Sequence, residues 1–253
     1  MNLGDVLYDN VFRKGTLAYS GTVTSGFEKE NAVDWRDFSF FAPSSGTTAL
    51  SVALTAGQSI DTACIWVGTL GGLTAITVDY ESAPSVFTTL ATISSPVVGF
   101  NFVTFASVAV ATGRQVRVNF VDAAGTSRIR QVTVGPRLTF PIGEWVDKTP
   151  HALQSGLVMD NIISMNGSII ARNVRRVEKS GAINLEYLTE AWVRTYWEPF
   201  ITHAINYPFW YRWSPRDYAN DVIFAAAQEI QAPKNGGEIG RMTVGMPFKG
   251  ITG

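Results

Sequence analysis

The sequence predicts a mostly β protein, in which an N-terminal β-sandwich jelly roll precedes a second β domain. That second domain is predicted to be a β-sandwich or split barrel with one flanking helix. Three observations predict this class. The first half of the chain alternates short apolar runs with turn-forming clusters. Several of those runs repeat with the period of two that half-buried strands show. After Gly135-Pro136, a helical pattern joins the strand patterns.

The first 137 residues form the predicted jelly-roll domain. Turn signals such as Gly71-Gly72 and Thr112-Gly113 separate its apolar runs, and no helical pattern interrupts them. Regularly spaced short strands of this kind are typical of a β-sandwich or jelly roll. The predicted strands cover residues 50–54, 60–67, 73–80, 102–110, 115–121 and 129–134.

Residues 138–253 form the predicted second domain. Residues 157–165 and 168–177 are predicted to be strands joined by a turn at Asn166-Gly167. Four further strands are predicted at 183–188, 207–213, 222–230 and 239–246, the last ending at Gly245-Met246-Pro247.

A helix is predicted at about residues 189–206. Thr189 can serve as its N-cap, and Glu190 is favourably placed in the first turn. Trp192, Tyr196 and Phe200 recur every four residues, which places them on one face. Pro199 conflicts with a continuous helix, so a kink or two short helices are expected.

Charged residues make up only 16% of the chain, and the net charge is −1. This low charge indicates either a surface covered by neighbouring subunits or a β-rich surface with much Ser, Thr and Gly. The charge is spread evenly, so no nucleic-acid site is predicted. The only cysteine, Cys64, is predicted to be a small buried side chain. The sequence predicts neither a signal peptide nor a membrane span, and assembly in a cytoplasm is expected.

The motifs that would indicate an enzyme are missing from the sequence. It has no paired cysteines, no His-Glu-x-x-His, no phosphate-binding Gly-rich loop and no Gly-x-Ser-x-Gly. We therefore predict no enzymatic activity, no cofactor and no metal site. A glycan-cleaving pair of carboxylates stays as a minor alternative, because such pairs come from distant positions.

Two groups of residues are candidates for binding. Aromatic residues cluster at positions 35–41, and most of them are predicted to belong to the core. Asp34, Trp35 and Arg36 are the residues predicted to contact a ligand, with Trp35 as the best candidate for surface contact. Arg172, Arg175 and Arg176 form a basic cluster, for which a solvated face or a subunit interface is predicted.

Residues 30–135 resemble the discoidin, or galactose-binding-like, jelly rolls. Asn31-Ala32-Val33-Asp34 is similar to the Asn-Ala-x-Asp of that family. The order of the segments 49–54, 59–65, 114–118 and 129–134 resembles the order of its core strands. Gly does not follow Asp34, and the usual Thr-x-Trp is missing, so sugar or lipid binding does not transfer with the resemblance.

The second domain resembles the distal tail proteins of long-tailed phages and their tail-tube relatives. The resemblance rests on the hairpin at 157–177, the helix, and the aromatic run 207–215 followed by Asp221–Phe224. Those proteins form rings, so the resemblance implies a homo-oligomer, a trimer or hexamer.

Two functions are therefore predicted. The first is a structural component of a phage tail tip or baseplate, located in the virion, with the tail tube and tail hub proteins as partners. In it, the second domain forms the ring and the jelly roll is displayed. The alternative is an adhesin whose jelly roll binds a host surface glycan.

Overall fold

The computed structural model describes residues 3–143, 156–166, 168–235 and 240–252, without the side chains of 156–161, 169 and 172–178. The chain divides into two compact units, one made of residues 5–139 and the other of residues 3–4 and 140–252. The sequence places the boundary at 137/138. Most elements are strands, and the prediction of a mostly β protein is confirmed.

The first unit contains ten strands and two short 3₁₀ turns, Val11–Arg13 and Lys29–Ala32. The strands are β1 (Asp5–Leu7), β2 (Gly15–Tyr19), β3 (Gly46–Leu54), β4 (Gln58–Thr69), β5 (Leu73–Ala83), β6 (Val86–Ile93), β7 (Gly99–Val110), β8 (Gln115–Asp122), β9 (Arg128–Gly135) and β10 (Arg137–Thr139).

Two antiparallel sheets make this unit a β-sandwich, as the sequence predicts. One sheet has five strands in the order β2-β3-β8-β5-β6, and the other has three in the order β7-β4-β9. Strands β2 and β6 lie at the edges of the larger sheet and add to the strands that the sequence predicts. The short β1 and β10 pair with each other.

The apolar core of the sandwich follows from the alternation of its strands. In β8 every second residue is buried, and Val118 lies opposite Leu50 on β3 and Val78 on β5. The smaller sheet contributes further buried residues, among them Ile65 and Val132. The residues of β8 between the buried ones therefore face outward, and Gln115, Arg117 and Asn119 among them make this part of the outer face polar.

Asp122 holds the connection from β8 to β9. Its buried carboxylate accepts hydrogen bonds from the backbone N–H groups of Ala124, Gly125 and Ser127 at 3.0, 2.8 and 3.0 Å. Burial by itself raises the pKa of Asp122, but the hydrogen bonds from Ser127, Gly125 and Ala124 outweigh it, so the pKa is lowered. The carboxylate thus fixes this turn in its ionised form.

The described strands of the second unit form an antiparallel sheet in the order β13-β14-β16-β12-β11, and β15 pairs with β16. They are β11 (Gly156–Ile163), β12 (Ile169–Thr189), β13 (Phe209–Arg212), β14 (Val222–Ala227), β15 (Lys234–Asn235) and β16 (Arg241–Thr252).

Two of these strands are longer than the sequence predicts. β12 is continuous through residues 178–182, so the two predicted strands are one. The prediction that the last strand ends at Gly245-Met246-Pro247 is wrong, since β16 runs to Thr252. Pro247 lies opposite Ala182, and its carbonyl accepts a hydrogen bond from the backbone N–H of Gln228. Proline removes only a donor, so the strand can continue.

One helical segment flanks this sheet, as predicted. It consists of α1 (Glu190–Trp192), a π-helical turn (Val193–Trp197) and α2 (Glu198–Ala204), with Thr189 as the N-cap. Pro199 falls in the first turn of α2, directly after the π turn, in which the Glu198 N–H donates to the Val193 carbonyl. The predicted conflict is therefore resolved by two short α-helices joined through the π turn.

The buried face of the helical segment differs from the predicted one. Val193, Trp197, Phe200 and Ala204 are buried, whereas Tyr196 is exposed. These buried residues recur at spacings of four, three and four, as on one face of an amphipathic helix, and in the first half of the segment this face is offset by one residue from Trp192 and Tyr196. Phe200 contacts Trp197 and the Phe209 ring of β13, with centroids 5.3 and 5.1 Å apart.

Candidate functional site

The outer face of the five-stranded sheet carries an open groove with a volume of about 320 Å³. We call it the sheet groove. Its size lies at the lower end of the range for small-molecule sites, roughly 300–1,000 Å³. Residues from all five strands or their connections line it: Ala18, Tyr19 and Ser20; Ala49 and Ser51; Gln115 and Arg117; Glu81 and Ser85; Phe87.

The groove exists because small and long side chains are segregated across the sheet. Ala18, Ser51 and Arg117 lie side by side on β2, β3 and β8. The small side chains of β2 and β3 leave space above the sheet, whereas Arg117 and Phe87 extend from β8 and β6. Outward residues of neighbouring strands share one row because antiparallel pairing holds their register.

Arg117 is fixed on two sides. Its Nε and Nη2 atoms bind Asp79 Oδ2 on β5 at 2.9 and 2.8 Å. Its guanidinium carbon lies 3.7 Å from the centroid of the Phe87 ring, which is cation–π contact. Asn119 also donates to Asp79 Oδ2, at 2.7 Å. Asp79 is only 3% exposed, so the arginine is held over the sheet by a buried carboxylate.

Glu81 organises the end of the groove formed by the β5–β6 turn. Its two carboxylate oxygens accept hydrogen bonds from the backbone N–H groups of Ser85, at 2.7 Å, and Gln115, at 3.0 Å. The Ser85 bond is the main cause of a lowered pKa for Glu81; the Gln115 bond and the positive charge of Arg114 also lower it, and burial opposes them. Ser85 has a left-handed backbone with φ of 62°, which the bond to Glu81 helps to hold.

Three polar side chains along the groove keep their hydrogen-bonding capacity. Within the described residues, the side chains of Ser51, Ser85 and Gln115 make no hydrogen bond to the protein, although each lines the groove. Serine and glutamine side chains can each donate and accept. The groove therefore combines a fixed guanidinium, an aromatic ring and unused neutral polar groups, which is the composition that a hydroxyl-rich ligand needs.

The residues that the sequence predicts for ligand contact, Asp34, Trp35 and Arg36, lie elsewhere in this unit. Residues 34–40, here called the Trp35 loop, connect the second 3₁₀ turn to the edge of the sandwich. Trp35 is only 6% exposed, so the prediction that its ring makes surface contact is wrong. Its backbone has φ of 65°, and its N–H donates to the buried Gln131 side chain of β9 at 3.2 Å. This conformation directs the ring inward, and Phe38, which is 71% exposed, takes the surface position.

Internal contacts occupy the polar groups of the Trp35 loop. Asp34 accepts hydrogen bonds from the Arg36 N–H at 2.9 Å and from the Ser39 hydroxyl at 2.8 Å. Arg130 of β9 lies between the Phe40 and Trp66 rings, 4.7 and 5.0 Å from their centroids, and donates to the Asp37 carbonyl. These contacts attach the loop to the three-stranded sheet.

Other predicted features have different outcomes. Cys64 is buried, as predicted. The side chains of Arg172, Arg175 and Arg176 lie outside the described residues, so their role at a subunit interface stays a prediction. In the described part of the chain, no cluster of three or more His, Cys, Asp or Glu side chains could hold a metal ion. No helix there has the length and hydropathy needed to cross a membrane.

No family model matches the sequence, and no curated protein is significantly similar to it. Solved structures with a similar fold exist. Chitosan-binding module 1 of a Paenibacillus sp. IK-5 chitosanase/glucanase is 19% identical over 51% of this chain and 99% of the module, with a TM-score of 0.43. A pectin-binding carbohydrate-binding module is 19% identical over 48% and 89%, with a TM-score of 0.40.

A Ruminococcus gnavus fucosidase, solved with fucose, is 15% identical over 51% of this chain and 27% of its own, with a TM-score of 0.44. At these identities and scores, the similarities do not assign a function to the chain.

Proposed function

We propose that the N-terminal jelly roll is a carbohydrate-binding module that holds an oligosaccharide in the sheet groove. The observation that carries this proposal is the groove itself, where Arg117 is fixed on Phe87 beside the unused side chains of Ser51, Ser85 and Gln115. Sugar hydroxyls both donate and accept hydrogen bonds, so they match such neutral groups. This is the alternative function that the sequence predicts, at a different place on the jelly roll.

Preorganisation of the groove supports the proposal. The ion pair with Asp79 and the stacking on Phe87 restrict the rotamers of Arg117 before any ligand arrives. Ordering a long side chain on binding costs about 0.5–1.5 kcal/mol, and a side chain that is already ordered avoids most of this cost. Uncharged polar ligands such as sugars benefit from this, since each of their hydrogen bonds contributes little net free energy.

A matched pair of arginines tests the proposal. Arg117 stacks on Phe87 in the groove, and Arg128 stacks on Phe27 outside it, with the guanidinium carbon 4.2 Å from the ring centroid. Binding of the full chain to immobilised polysaccharides and a glycan array is measured for Arg117→Ala and Arg128→Ala. We expect Arg117→Ala to weaken glycan binding about tenfold or more and Arg128→Ala to leave it unchanged. Equal losses in both variants, or no glycan binding by the unaltered protein, would contradict the proposal.

A second candidate function is the ring-forming structural component of a phage tail tip, located in the virion. One observation favours it: Ile162, Ile163, Met165 and Ile170 are exposed near the tip of the β11–β12 hairpin. Exposed apolar side chains that lie close together favour a protein contact. The ring, the tail tube and tail hub partners and the interface at Arg172, Arg175 and Arg176 belong to this second proposal.

Light scattering and electron microscopy of the full chain test the second candidate. A ring of three or six copies that Ile162→Asp and Ile170→Asp disrupt is the expected result. A monomer at high protein concentration would remove this candidate and leave carbohydrate binding unaffected. The exposed Ile205 of the helical segment provides a matched control, because Ile205→Asp adds the same charge away from the hairpin.

A further inference from the structure

The charges of the sheet groove are paired inside the protein, and this pairing limits which sugars can bind. We infer that the groove selects uncharged oligosaccharides over those with amino or carboxylate groups, an inference that rests on the proposed carbohydrate binding. Four charged side chains belong to the groove or lie directly beside it: Asp79, Glu81, Arg114 and Arg117. Their formal charges cancel.

A ligand carboxylate meets an arginine that already has a partner. Two nitrogens of Arg117 bind Asp79 Oδ2 at 2.9 and 2.8 Å, and Asp79 is almost completely buried. A uronate that binds the remaining guanidinium nitrogen, Nη1, would still lie close to Asp79, whose buried carboxylate already offsets the charge of Arg117. Like charges that close disfavour the ionised ligand, and the interaction with Arg117 is already largely neutralised.

A ligand ammonium group meets an equally occupied carboxylate. Both oxygens of Glu81 accept backbone hydrogen bonds, from Ser85 and Gln115, and Arg114 lies 3.7 Å from one of them. An amino sugar that binds Glu81 would compete with the bond that holds the left-handed Ser85 turn. Losing a hydrogen bond of a strained turn opposes the gain from the new ion pair.

The groups left for a ligand are neutral. Ser51, Ser85 and Gln115 offer hydroxyl and amide groups without a protein partner among the described residues, and Phe87 offers apolar surface. Burying a charged ligand against neutral partners costs desolvation that no paired charge offsets. A neutral sugar has no charged group whose hydration must be removed. The groove as a whole therefore favours an uncharged ligand.

Calorimetric titration of the full chain with three probes tests the inference: neutral gluco- or galacto-oligosaccharides, chitosan oligosaccharides and oligogalacturonate. We expect a neutral oligosaccharide to bind at least about tenfold more tightly than either charged probe, with an affinity that salt does not change. Tighter binding of a charged probe that Arg117→Ala abolishes would overturn the neutral preference while upholding carbohydrate binding. No binding of any probe would overturn the carbohydrate proposal itself.

Two reciprocal substitutions make the test sharper. Asp79→Asn leaves Arg117 without its carboxylate, and Arg117→Gln leaves Asp79 without its cation. We expect Asp79→Asn to gain about tenfold in affinity for oligogalacturonate and Arg117→Gln to gain similarly for chitosan oligosaccharides. The double variant has no net charge change and should restore the preference for neutral oligosaccharides.

Thermal melting shows whether each variant folds. Because the double variant removes both charges together, it remains informative where a single variant unfolds. Unchanged selectivity in the folded variants would contradict the inference.

Discussion

The sheet groove and the Trp35 loop both place aromatic, acidic and basic side chains close together, yet they use them differently. In the loop, Asp34 accepts hydrogen bonds from within the protein, and Trp35 is buried. In the groove, Asp79 pairs with Arg117, and Glu81 accepts a hydrogen bond from the Ser85 backbone. The neutral side chains of Ser51, Ser85 and Gln115 make no hydrogen bond to the described residues and can contact a ligand. A cluster of aromatic and charged residues in the sequence therefore indicates a structural role as readily as a binding role. Unused hydrogen-bonding capacity distinguishes the two.

The largest expected effect concerns the Trp35 loop. Trp35→Ala removes a large buried side chain, and we expect it to lower the free energy of unfolding by about 3–5 kcal/mol. Denaturant unfolding of the full chain, followed by circular dichroism, measures this loss. Phe38→Ala is the matched control, because its exposed ring should contribute less than about 0.5 kcal/mol. A small loss of stability for Trp35→Ala together with a large loss of glycan binding would place the ligand at the Trp35 loop instead of the sheet groove.

The next effect concerns space in the groove. Ser51→Leu places a larger side chain among the small residues of β3, and we expect glycan affinity to fall about tenfold or more with little change in stability. Ser107→Leu is the control, because Ser107 is an exposed serine on a strand of the other sheet. Titration calorimetry measures both affinities. If Ser51→Leu binds as well as the unaltered protein, the ligand lies elsewhere.

A smaller effect concerns pH. The folded-state pKa values of Glu81 and Asp122 are both lowered, so both groups contribute stability that is fully present above their unfolded pKa values. That stability is lost as the pH falls through the folded pKa values. We expect stability and glycan affinity to be constant from about pH 5 to 8 and to decline only below about pH 4. Thermal melting and titration across this range test the window, and a decline already near neutral pH would contradict it.

The smallest expected effect concerns Arg36, which the sequence predicts as a ligand contact. Arg36→Ala should change glycan affinity by less than about twofold, since its side chain is exposed and its nearest carboxylate, on Asp34, is 4.0 Å away. The same titration as for Ser51→Leu measures this. A loss comparable to that of Arg117→Ala would place the ligand at the Trp35 loop.

Much of the fold follows from the sequence, because alternation directly reports which face of a strand is buried. β3, β5 and β8 are predicted by their alternation, whereas β6, an edge strand without a buried residue, has no such signal. Trp35 was mispredicted because its left-handed backbone, which a local pattern does not show, directs the ring inward. The buried face of the helical segment also differs from the predicted one, since Val193 and Trp197 are buried where Trp192 and Tyr196 are predicted.

The groove could not be predicted from local spacing. Its outward residues on β5 and β8, such as Asp79 and Arg117, belong to the polar side of strands that the sequence predicts. The alternation indicates that these residues face away from the core, but it does not indicate which residues of the neighbouring strands lie beside them. Only the register of β3, β8 and β5 places Ser51, Arg117 and Asp79 side by side. Long-range pairing of this kind is set by the whole fold.

An NMR titration of the full chain with the neutral oligosaccharide that binds best tests most directly whether the sheet groove holds the ligand. We expect the largest amide shifts on the groove strands, at Ser51, Ser85, Phe87, Gln115 and Arg117, and little change at residues 34–40. Large shifts confined to residues 34–40, with none at Ser51 or Arg117, would contradict this expectation.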